Sequence, residues 1–119
     1  MFLEENFNNS NELIQQAIKE LLYTKLIAQL LKDFSLANIP FDVPENVKSK
    51  ELQKLLHEKL YVLIMEKFND YLNLLYVVDV PEKVFKGIKV TDVVEVAEQV
   101  SFLILKREFL KVRLKAKYT

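Results

Sequence analysis

Few side chains in this sequence could do chemistry, and their spacing limits what that chemistry could be. His57 is the single histidine. A catalytic base of this kind needs an acid to orient it and a substrate to receive its proton. Glu58 is adjacent in sequence, but on a helix it points about 100° away, so His57 reads as a surface or boundary residue. Asp92, Glu95 and Glu98 fall at three-residue steps on one helical face. They could weakly hold a divalent ion, but the simpler reading is a solvated acidic first turn favoured by the helix dipole. Di-metal helical sites need Glu-x-x-His motifs on two helices, and this chain has none. Ser10, Ser35, Ser49 and Ser101 are the serines; none lies in a Gly-x-Ser-x-Gly context, and Ser10 and Ser49 read as helix caps. A single glycine leaves no phosphate-cradling loop, and the absence of cysteine leaves no thiolate site or disulfide. The expectation is no catalytic residue, no metal and no cofactor. Tyr61, Tyr71 and Tyr76 could line a pocket, which keeps open a carrier of a small apolar ligand. Their rings more simply fill core or interface.

Charge offers a different lead. The whole chain is neutral, but the balance is uneven. Residues 1–45 hold three lysines against seven acids, a net charge of −4, whereas residues 106–119 hold six cations against Glu108, a net charge of +5. Such ends can attract each other within one chain or between two. Lys106, Arg107, Lys111, Arg113, Lys115 and Lys117 form a basic patch that could meet phosphates, the alternative reading being a nucleic-acid-binding protein. The start MFLEENFNNS puts acids where a secretory leader needs cations, and the longest strictly apolar run, Leu60–Met65, is far too short to span a membrane. With cysteine absent, the sequence suits a reducing cytoplasm.

These residues need a scaffold, and the pattern specifies an all-α one. Apolar residues at three- and four-residue steps from Leu13 to Phe34 predict a helix over 11–37, with Asn9 and Glu12 at capping-box spacing. Pro40 and Pro44 end that periodicity. A second helix is predicted over 49–79, apolar nearly all round between Leu60 and Val78 and therefore central. Pro81 stops it, and Gly87 marks a turn or a positive φ. A third is predicted over 91–116, opened by Asp92 and Glu95. Residues 41–48 and 82–88 could each add a short helix, or 84–90 a short extended piece. The expected domain is one unit over 1–119, an up-down-up bundle of three long helices. Residues 1–9 are expected to be flexible and 117–119 frayed.

The closing stretch LKVRLKAKYT alternates like a strand, yet the helical reading keeps Phe102, Leu105, Phe109, Val112 and Ala116 in register. That face is nearly opposite the Val93, Val96, Ala97, Val100 and Ile104 face of the same helix. A straight helix cannot bury both against the same two neighbours. Phe102, Leu105, Phe109, Val112 and Ala116 are therefore the expected interface of a homodimer that completes the bundle. The functional expectation is a small cytoplasmic protein acting through protein–protein contacts, as a homodimer or a partner-binding subunit, and not an enzyme.

Overall fold

The computed structural model of the chain describes residues 7–88 and 92–118. Among them every regular element is a helix: α1 (Ser10–Lys19), α2 (Tyr23–Leu36), α3 (Ser49–Glu66), α4 (Phe68–Val78), α5 (Glu82–Lys86) and α6 (Val93–Tyr118). The all-α reading holds. Two of the three expected long helices are broken, at 20–22 and at Lys67. Residues 117 and 118 continue α6, so the alternating tail is helical, and Thr119 lies outside the described residues. Residues 1–6, most of the expected flexible start, and residues 89–91, including the end of the possible extended piece and the expected first residue of the last helix, lie outside them too.

Local chemistry sets the helix ends. Asn9 caps α1: its Oδ1 accepts the Glu12 N–H at 2.9 Å, while the Glu12 carboxylate reaches back one residue further than a standard box, to the N–H of Asn8 at 3.0 Å. Phe7 packs its ring 6.0 Å from Phe109, so this residue of the expected flexible start is held against α6. Lys48, not Ser49, occupies the cap position of α3. Asp92 accepts the Val94 N–H at the start of α6. Gly87 follows α5 with an ordinary negative φ of −76°, so its freedom is not used.

Three helices end the same way. Leu21, Asn38 and Asp79 take left-handed φ values of 62°, 61° and 74°. The next residue's N–H then donates five residues back, Leu22 to Ala17, Ile39 to Phe34 and Val80 to Leu75. These are Schellman ends, each with an apolar residue folding onto the helix it closes. Asn and Asp tolerate this conformation, but leucine does so poorly, at a cost of about 1–2 kcal/mol. Leu21 is also 88% exposed, so it recovers nothing by packing. Leu21→Gly should therefore raise stability by about 0.5–1 kcal/mol, a melting-temperature gain of about 2–4 °C by calorimetry. An unchanged or lower value would show that Leu21 is not strained.

The breaks explain how α6 buries two faces. Its early residues Val96, Ala97, Val100 and Ile104 and its later residues Leu105, Phe109 and Val112 are all buried. The 26-residue helix, about 39 Å long at 1.5 Å per residue, outlasts any one neighbour, and it packs on α1, α2, α3 and α4. Near its start, the carbonyl of Val94 lies 2.9 Å from His57 Nε2 on α3. Its middle faces the start of α1 across a groove, and further on it meets the end of α4, then α2 and the end of α1. The buried arc rotates because the wall rotates. The apolar surplus read from the sequence in α6 is thus covered by the chain itself. The core holds Leu13, Ile14, Leu30, Phe34, Leu56, Leu60, Leu74 and Ile104, each 1% exposed or less.

Candidate functional site

The densest charged arrangement is a seam between α2 and α6, and its residues come from the acidic front and the basic tail. Asp33 faces inward from α2 because it shares the arc of Leu26, Leu30 and Phe34. Glu108 shares the arc of Leu105, Phe109 and Val112 on α6. Asp33 is 3% exposed and Glu108 fully buried. Lys111 joins them, its Nζ 2.7 Å from Asp33 Oδ2 and 3.1 Å from Glu108 Oε1. Gln29 Nε2 donates to Asp33 Oδ1 at 3.3 Å, and Lys115 Nζ donates to Gln29 Oε1 at 2.8 Å. One turn beyond, Arg113 grips Glu20, with Nε donating to Oε1 at 3.0 Å and Nη2 to Oε2, and its guanidinium lies 4.3 Å over the Phe109 ring. Arg107 reaches Asp79 at the end of α4, 2.8 Å away.

Two carboxyls this close in a dry interior cannot both stay ionised. Burial pushes the Glu108 carboxyl up to about 9, the Asp33 carboxylate adds to that, and Lys111 only partly offsets it. Glu108 is thus protonated at neutral pH and can donate to Asp33. Burial also pushes Asp33 up, but its contacts with Glu108, Lys111 and Gln29 outweigh that and hold it below its ordinary value. Glu20 is lowered, chiefly by its pairing with Arg113. The seam stores one proton on a carboxyl pair. Asp33 and Glu108 are buried while Lys111 is partly exposed, and together they tie α6 to α2.

The basic patch is largely consumed here. Arg107, Lys111 and Arg113 pair with carboxylates, and Lys115 bonds to Gln29. The Lys106 and Lys117 ammonium groups sit near the Phe102 and Tyr118 rings, at 5.4 and 5.7 Å. Of the expected interface residues, Leu105, Phe109 and Val112 are core, Phe102 is half-buried and Ala116 is exposed. Asp92, Glu95 and Glu98 are exposed on α6 or at its start. Among the described residues, no group of three or more His, Asp or Glu side chains is placed to hold a metal.

Two other surfaces stand out. A half-open groove of about 490 Å³ lies between the start of α1, α3 and the middle of α6. His57, Ser101, Gln53 and Gln99 contribute to its wall beside the apolar Leu56, Phe102 and Leu105. Ser101 Oγ donates to the Ala97 carbonyl at 2.8 Å. On the opposite sides of α3 and α4 from the core, Tyr61, Val62, Met65, Phe68, Leu72 and Tyr76 are exposed, Tyr76 by 83%. Tyr71, which the sequence grouped with Tyr61 and Tyr76, turns inward instead, and burial raises its hydroxyl pKa.

The sequence reading missed the α3–α4 surface as an exposed one, because all-round apolar character looks like burial on every side. It missed Glu108 as well, counting it only as the lone acid in a basic tail. The signal was present: Leu105, Glu108, Phe109 and Val112 form one i, i+3, i+4, i+7 stripe with a carboxylate inside it. No protein-family model, curated protein or solved structure matches the chain.

Proposed function

We propose that this chain acts through protein–protein contact, pairing with a second copy of itself across the outer face of α3 and α4. The observation that carries this reading is an exposed apolar set on two helices that pack on each other: Tyr61 and Met65 one turn apart on α3, and Phe68, Leu72 and Tyr76 at four-residue steps on α4. Isolated exposed apolar residues are ordinary, but several on two consecutive helices in contact are what interfaces present, with tyrosine, phenylalanine and methionine over-represented. Charges beside it carry both signs: Glu66, Lys67 and Asp70 sit around the break between the helices. A two-fold operator can set Lys67 of one copy against Glu66 or Asp70 of the other, which makes the face self-complementary. Dimerisation is retained from the sequence reading, but its surface moves from α6 to α3 and α4.

The test is the solution mass by light scattering on a sizing column, at low and high salt. The parent chain should run at twice its 14.0 kDa. The Met65→Glu/Phe68→Ser variant should run as a folded monomer, with unchanged helicity by circular dichroism, because both side chains are more than half exposed. A parent monomer at all concentrations, or a variant that stays dimeric, overturns the reading.

A further inference from the structure

Leu21 poses a question that the fold does not answer. It occupies a glycine position, in a left-handed conformation that leucine adopts at a cost, with 88% of its surface exposed. Backbone strain at an exposed side chain points toward use of that side chain. Its neighbours are informative. Arg113 on Glu20 brings the end of α6 to the α1–α2 corner. Lys111 meets Asp33 and Lys115 meets Gln29, so α6 runs antiparallel along α2 in four-residue steps. Leu21, Ile18, Leu114 and Tyr118 are exposed at this end, Tyr118 by 73%. Around them lie the exposed lysines Lys19, Lys25 and Lys117. Glu20, the acid within this group, is already held by Arg113.

We propose that this corner docks on an anionic membrane surface, with Leu21 as the inserted wedge, Tyr118 at headgroup depth and Lys19, Lys25 and Lys117 against lipid phosphates and carboxylates. Leucine with flanking lysines and an interfacial tyrosine is the composition of a surface-bound segment, and anionic leaflets attract such clusters. The site lies at the turn between α1 and α2. A fluid headgroup layer can receive a single leucine there without a shaped pocket, whereas a stable protein interface buries about 800 Å² on each partner. No helix among the described residues is long and apolar enough to cross the bilayer.

The test is co-sedimentation of the full chain with phosphatidylcholine vesicles, with and without phosphatidylserine. Binding should require phosphatidylserine and weaken with salt. Leu21→Gly should lower partitioning roughly tenfold, while its melting temperature holds or rises, which separates lost insertion from unfolding. Lys25→Gln/Lys117→Gln should weaken binding further, and Met65→Glu/Phe68→Ser should leave it unchanged, so failure of the α3–α4 reading is distinguishable. No partitioning into phosphatidylserine vesicles, equal binding by Leu21→Gly, or binding to polyglutamate but not to vesicles overturns the proposal.

Discussion

Replacing Lys111 with methionine should destabilise the chain at pH 7 by about 3 kcal/mol, read as a shift in urea midpoint at constant slope. Methionine keeps the length and removes the charge. Asp33 would then be a carboxylate 3% exposed, with only Gln29 and the Glu108 proton for company. Losing one partner of a buried pair costs more than the pair itself contributes, because the other charge stays behind. The cause can be isolated. Adding Asp33→Asn should restore much of the loss, since nothing charged then remains to be compensated. The single variant should also regain stability as pH falls, because its Asp33 can take up a proton. A loss of under 0.5 kcal/mol, or no recovery in the double variant, would mean that the seam is solvated.

Glu108→Gln should make the protein more stable at alkaline pH and leave it nearly unchanged at pH 5. Between its ordinary value of 4.5 and about 9, Glu108 keeps a proton in the folded chain that the unfolded chain has released. Stability therefore falls as pH rises through that window, by up to about 1.4 kcal/mol per pH unit. Asp33 and Glu20, with lowered values, act in the opposite sense: their contribution is present above the ordinary carboxylate range and is lost on acidification through it. Together they put the parent's optimum on the mildly acidic side of neutral. Glutamine mimics the protonated acid, donating to Asp33 and accepting from Lys111, without the proton to lose. At pH 8.5 the variant should exceed the parent by about 2–3 kcal/mol. Parallel pH profiles for the two proteins would show that Glu108 is not the group responsible.

Much of this architecture could be read from spacing alone. Pro40, Pro44 and Pro81 separate the helical runs because proline lacks a backbone donor and restricts the residue before it. Asn9 with Glu12 marked the start of α1, and the register of Phe102 through Val112 favoured helix over strand at the tail. The breaks at Leu21 and Lys67 left no such mark. A left-handed residue normally announces itself as glycine, and here it is leucine. Lys67, with φ −141° and ψ 62°, carries an extended kink with no sequence cue. That one omission cascaded. With unbroken neighbours, the second face of α6 had to find a partner outside the chain. With broken ones, α1 and α2 supply it. The attraction between the acidic front and the basic tail was legible as charge counts. The pairing of Asp33 with Lys111, 78 residues apart, was not, because it depends on which way each helix turns.

The central position of α6 also bears on how the chain is made. The first five helices are synthesised before it, and four of them bury apolar surface against it. Until α6 is made, the faces of α1, α2, α3 and α4 that pack on it lack that cover. At ordinary elongation rates that interval lasts seconds, long compared with the microseconds in which each helix forms. The nascent chain is thus a collection of finished helices awaiting a spine, and its exposure to chaperones and to aggregation is concentrated in that wait.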